Sequence, residues 1–188
     1  MTHEQLVIKA VAWLRRYRCS VVLSEQACTS GEMPDAIGWK RGYHSVLVEC
    51  KISRADFLAD RTKPFRQNPK LGLGCERFYS APAGLIRKAE LPEGWGLLEC
   101  ARGAMSMVHA SQKDLRSARG LGYEMNLLLA SLRRVEVRIE PQSITDFLKW
   151  KNRLASYNGG IVPEGIAQPE PNLYLDADTE NEGAGILT

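Results

Sequence analysis

The sequence predicts an α/β domain in which a mixed central sheet is flanked by helices, with further helices toward the C-terminus. Three observations carry that expectation. An amphipathic helical pattern occupies the N-terminus, residues 44–50 read as a strand with apolar residues on both faces, and capped helical segments and strand-like runs follow it. With 188 residues and 44% hydrophobic content, the chain can bury one substantial core with room for an attached subdomain.

Thr2 followed by Gln5 is a capping-box pattern, and Val7, Val11 and Leu14 recur at helical spacing, so a helix is predicted over residues 3–17. Glu4 falls on that apolar face. Residues 19–23 read as a short strand and 24–32 as a polar loop. Residues 33–39 and 44–50 then read as two strands joined through Lys40-Arg41-Gly42-Tyr43, where Gly42 is available for positive φ. In the second strand Val46, Val48 and Cys50 face one way and Leu47 the other, as in a central strand.

Ser53 with Asp56 repeats the capping pattern and starts a short helix carrying Phe57 and Leu58, ending near Arg61. Residues 62–75 form a basic connection rich in Lys, Arg, Pro and Gly. Residues 76–81, 96–100 and 105–110 read as strands, and 123–135 as a helix. A last helix is predicted over 144–157, stopped by Asn158-Gly159-Gly160. The expected organisation is a main domain over 1–135, a helical extension over 136–162, and an acidic tail over 163–188 whose lack of periodicity predicts disorder.

That tail holds Glu164, Glu170, Asp176, Asp178, Glu180 and Glu182 and no Lys or Arg; removing those six negatives from the formal charge of +3 leaves the body at +9. Such a surplus suits a polyanionic partner. Five cysteines, with no CxxC pair and no nearby His at ligand spacing, fit a reduced cytoplasmic protein. The N-terminus has no signal-peptide pattern and no run reaches membrane-spanning length, which predicts a chain without a membrane partner.

If the hairpin is symmetric about Gly42, Asp35 lies opposite Glu49 with Cβ atoms roughly 5 Å apart. Opposed carboxylates on one face repel each other, and a cation between them removes the conflict. Lys51 shares the face of Glu49. Hard oxygen donors for Mg²⁺ or Mn²⁺, with an ammonium beside them, are what metal-assisted phosphodiester hydrolysis needs.

Pro34-Asp35, a hairpin and then Glu49-Cys50-Lys51 resembles the signature of the PD-(D/E)XK nuclease superfamily. The order helix, three strands, helix, strand resembles that superfamily's restriction-endonuclease-like core, over roughly the first 82 residues. The resemblance implies a Mg²⁺- or Mn²⁺-dependent deoxyribonuclease, with an endonuclease as the expected mode. By it, Asp35 and Glu49 ligate the metal, the backbone carbonyl of Cys50 adds a ligand, and Lys51 positions or activates water. The layout is nearest to Holliday junction resolvase and Mrr-like branches, which also use a Glu on the first helix; Glu4 occupies that place, with Glu25 as a competing acid. Many relatives act as homodimers, but no heptad marks an interface here, so the oligomeric state stays open.

Lys63, Arg66 and Lys70 follow the motif helix as candidate phosphate contacts, and Gln67 resembles a polar residue of some branches. A solvated basic loop is the competing reading. Cys50 alternates with the acid and lysine and points into the core, a packing residue rather than a nucleophile. Two other function classes stay open. One is a non-catalytic nucleic-acid-binding module with a nuclease-like fold, and the other is an interaction protein acting through its acidic tail.

Overall fold

The computed structural model describes residues 1–138. The helix predicted at 144–157 and the tail at 163–188 lie outside the described residues, as does nearly all of the extension at 136–162. The chain divides into two compact units, Met1–Ala130 and Ser131–Thr188, and the first carries the sheet and the candidate site.

Helix α1 (His3–Arg16) starts on the predicted capping box, with Gln5 N–H donating to Thr2 and the Gln5 side chain accepting from the Thr2 N–H. Its buried face is Leu6, Val7, Ala10, Trp13 and Leu14. That face is rotated from the predicted Val7/Val11/Leu14 stripe, and Val11 is only partly buried. Strands β1 (Val21–Ser24), β2 (Ala36–Trp39) and β3 (Ser45–Cys50) follow as an antiparallel meander. The β2–β3 register pairs Ala36 with Val48 and Ile37 with Leu47, the register expected from symmetry about Gly42. Gly42 has φ 71°, and Tyr43 adopts φ 56° beside it. β2 begins later than predicted. Pro34 has no N–H to give a ladder, and the Glu25 N–H bonds to the carbonyls of Pro34 and Asp35 at 3.1 and 3.3 Å instead.

Helix α2 (Arg54–Asp60) is capped by Ser53, which accepts from the Asp56 N–H. The connection at 62–75 is more ordered than its composition suggests: it holds a short helix α3 (Pro64–Gln67), started by a proline at its first position, and a 3₁₀ turn at Pro69–Leu71. Buried Arg77 pins this segment, donating to the carbonyls of Pro69, Gly72, Gly74 and Leu115. Strand β4 (Glu76–Pro82) then lies parallel to β3, β5 (Gly96–Ala101) parallel to β4, and β6 (Ala104–His109) antiparallel to β5. The result is a mixed six-stranded sheet in sequential order, flanked by helices. Helix α4 (Ala118–Arg138) starts five residues earlier than predicted. Gly120 weakens the helical pattern there, but the fold requires it, because a Cβ at 120 would stand 2.8 Å from the Gly72 carbonyl oxygen.

Two cores result. Leu6, Ala10, Trp13 and Leu14 of α1 pack on Val46, Val48, Cys50, Phe78 and Leu98 on one face of the sheet. Ile37, Trp39, Leu47, Tyr79 and Leu97 pack with Phe57 and Leu127 on the other. All five cysteines are free and buried. Among the described residues no helix is long and apolar enough to cross a membrane.

Glu124 on α4 is buried and accepts from Trp39 Nε1 (3.1 Å), Ser45 Oγ (2.8 Å), the Gly74 N–H (2.8 Å) and Arg116 Nη1 (2.7 Å). Glu124→Gln puts an amide donor among four donors and removes the charge that Arg116 needs. It is expected to lower stability by roughly 3 kcal/mol in urea unfolding.

Candidate active site

β3 is buried along its whole length, and its one charged residue, Glu49, stands at its C-terminal end with Lys51 just beyond. Alternation sends Cys50 to the α1 side and leaves Glu49 and Lys51 on the α2 side. Asp35 stands one residue before β2, where continuing the register carries it opposite Glu49. Its Oδ2 accepts from the backbone N–H of Cys50 at 2.6 Å, and its Oδ1 lies 3.3 Å from His3 Nε2. Asp35, Glu49, Cys50 and Lys51 line one cavity of about 500 Å³, closed by Met33 and Lys63 among others.

Behind the cavity, Arg66 fixes the acids. Its Nε is 2.6 Å from Asp60 Oδ2, its Nη1 2.8 Å from Glu32 Oε1, and its Nη2 3.0 Å from Glu49 Oε1. The guanidinium lies between Phe65 and Trp95, with its carbon 4.9 and 4.5 Å from the two ring centres. Lys51 Nζ sits 3.1 Å from Asp60, 3.6 Å from Asp56 and 3.7 Å from Glu49. Tyr79 Oη donates to Asp60 at 2.6 Å.

Burial pushes the Glu49 carboxyl up to about 7; Asp35 and Asp60 add to the rise, while Arg66 and Lys51 oppose it. Burial also disfavours charge on Asp60, yet Arg66, Lys63, Tyr79 and Lys51 together hold its carboxyl well below the usual range. Desolvation would lower Lys51, but Glu49, Asp60 and Asp56 outweigh it and raise the ammonium. The Cys50 thiol is driven far up by burial, which supports its reading as a packing residue.

The expected residues thus divide. Asp35, Glu49, Cys50 and Lys51 come together, and Lys63 joins them at the rim, its Nζ 2.7 Å from Asp60. Arg66 does not face solvent as a phosphate contact: its side chain is 3% exposed and tied to three carboxylates, because α3 turns it inward. Gln67 and Lys70 are exposed and outside the cavity lining. Glu4 is also exposed and outside the lining, since the buried face of α1 centres on Leu6 and Ala10 and so brings His3 inward instead. Glu25 is exposed, held at φ 52°.

Sequence reasoning passed over His3, Glu32, Asp56 and Asp60. The signal for the last two was present. They stand one turn apart on a helix that starts three residues after Lys51, a spacing that turns both toward one neighbour.

Among the described residues no group of three or more His, Cys, Asp or Glu side chains is placed to hold a metal ion. Asp35, Glu49 and Cys50, the residues the resemblance names as ligands, line the cavity beside His3 and Asp56. Glu49 Oε1 is buried and makes no hydrogen bond, because the nearby Arg66 Nη2, likewise unbonded, is not aligned for one. The other Glu49 oxygen, Oε2, lies 3.7 Å from Lys51 Nζ, and a cavity carboxylate beside Asp35 is a donor type suited to a hard divalent cation, which typically takes one or two carboxylates and completes its shell with water and phosphate.

Arg66→Met would leave Glu32, Glu49 and Asp60 buried without their guanidinium. The variant is expected to lose roughly 3–5 kcal/mol at pH 8. The deficit should shrink toward pH 5.5, because carboxyls deprived of their cation have raised folded pKa values and folding then takes up protons as pH falls. Urea unfolding at the two pH values checks both statements.

No family model matches the chain, and no curated protein matches it. Among solved structures, a protein of unknown function from Silicibacter pomeroyi is similar with a TM-score of 0.58 at 22% sequence identity, over 77% of this chain and 97% of that one. At that identity the likeness concerns the α/β fold alone.

Proposed function

We propose that the chain is a metal-dependent deoxyribonuclease of the PD-(D/E)XK type, hydrolysing DNA phosphodiester bonds as an endonuclease. The observation that carries the reading is the convergence of Asp35, Glu49 and Lys51 on one cavity. A chain that only bound nucleic acid would gain nothing from keeping Glu49 buried beside a second carboxylate, where its charge is strained.

Asp35 and Glu49 would hold Mg²⁺ or Mn²⁺, each already oriented: Asp35 by the Cys50 N–H, Glu49 by its burial against Arg66. The bound ion supplies Lewis-acid polarisation of the phosphate and a bound water of lowered pKa. Lys51 is ringed by three carboxylates that keep it protonated, so it serves as a cation and hydrogen-bond donor toward water or a phosphate oxygen, not as a base. Asp56 and Asp60 direct its ammonium toward the cavity. The surplus positive charge of the body suits a polyanionic substrate.

Purified full chain with Mg²⁺ or Mn²⁺ is expected to cut DNA, and Lys51→Ala and Asp35→Asn are each expected to reduce cleavage at least about a hundredfold while the circular dichroism spectrum stays unchanged. Cleavage that survives both substitutions in one chain would exclude this site.

The pH dependence follows from Glu49, whose folded value of about 7 stands above its ordinary 4.5. Without metal, folding takes up a proton between those values, so the contribution of Glu49 to stability falls as pH rises through that window. Metal binding needs the deprotonated carboxylate. The apparent Mg²⁺ affinity from calorimetry should therefore rise about tenfold per pH unit up to 7 and level off above, and Glu49→Gln should lose both the binding and the slope.

A further inference from the structure

We infer that the cavity takes an unpaired DNA strand in preference to continuous duplex, an inference that rests on the nuclease reading. The reacting groups are recessed: the Glu49 and Lys51 side chains are 2% and 5% exposed, at the floor of the cavity. A phosphate must therefore descend to them. The volume of about 500 Å³ matches a site for one small ligand or nucleotide, within the roughly 300–1,000 Å³ of such pockets. Duplex DNA is stiff over about 50 nm, and its phosphates follow a helical path that they leave only when the duplex is deformed. An unpaired strand rotates each nucleotide freely and can lower one phosphate while its base is splayed outward.

The rim is built for that base. Met33 is 58% exposed and borders the cavity with Pro64, above a floor of carboxylates and an ammonium. The apolar side of the rim, Met33 and Pro64, over the recessed acids and ammonium mirrors the division of a nucleotide into base and phosphate, while Asp56 and Lys63, with side chains each 42% exposed, are the charged side of the rim. A thioether makes favourable contact with an aromatic face, and only an unpaired base presents one, since a duplex keeps its bases stacked. Lys63 stands at the same rim, its Nζ 2.7 Å from Asp60, a cation beside the path of an adjoining phosphate.

The test uses the full chain and two readouts. With Lys51→Ala in Mg²⁺, fluorescence anisotropy should show a labelled single-stranded oligonucleotide binding at least about tenfold tighter than the same sequence as blunt duplex at equal salt. With Lys51 intact, Met33→Ala should raise KM for the single strand several-fold with kcat within about twofold. Duplex bound and cut as well as single strand overturns the inference and leaves the nuclease standing. Preferential binding of the single strand without cleavage of any DNA overturns the nuclease and leaves the unpaired-strand site. Neither preference nor cleavage overturns both.

Discussion

Arg66 joins three parts of the chain at one guanidinium: the loop before β2 through Glu32, the end of β3 through Glu49, and the end of α2 through Asp60. Each of those acids is buried, and a buried carboxylate without a counter-charge costs several kcal/mol. The guanidinium suits the task because its rigid fork can meet several acceptors at once while its faces lie against Phe65 and Trp95. Once Arg66 is fixed, Glu49 cannot swing away from the cavity and Asp60 is set to receive Lys51. The position of the motif lysine is thus inherited from an arginine fifteen residues further along the chain.

The sheet explains why the site forms where it does. β3 is central and paired on both edges, antiparallel to β2 and parallel to β4, so its charged residues can appear only where it ends. A parallel neighbour demands a crossover, and that crossover is α2 and α3. Both helices return across the same end of β3 and deliver Asp56, Asp60, Lys63 and Arg66 to one place. Strand pairing and site assembly are therefore one event, and the tight β2–β3 hairpin adds Asp35 from the opposite side.

Much of this was legible before any coordinates. The hairpin register followed from symmetry about Gly42, which pairs Ala36 with Val48 and Ile37 with Leu47; alternation could not have set it, because β3 is apolar on both faces. The two capping patterns placed α1 and α2 correctly. What escaped was decided by contacts between distant residues. Arg66 and Arg77 have no local signal of burial, and composition marks them as solvated. Their burial depends on acids and carbonyls brought from elsewhere by the crossover. Glu4 is outside the cavity and His3 lines it because the buried face of α1 is rotated from the expected stripe, with Ala10 and Trp13 packed on the sheet.

Anomalous scattering from crystals soaked in Mn²⁺ tests the central claim most directly. A metal held by the two carboxylates gives a peak in contact with both Asp35 and Glu49, lost in Asp35→Asn crystals. A saturating soak that gives no density there, in crystals where the cavity is open to solvent, would contradict it.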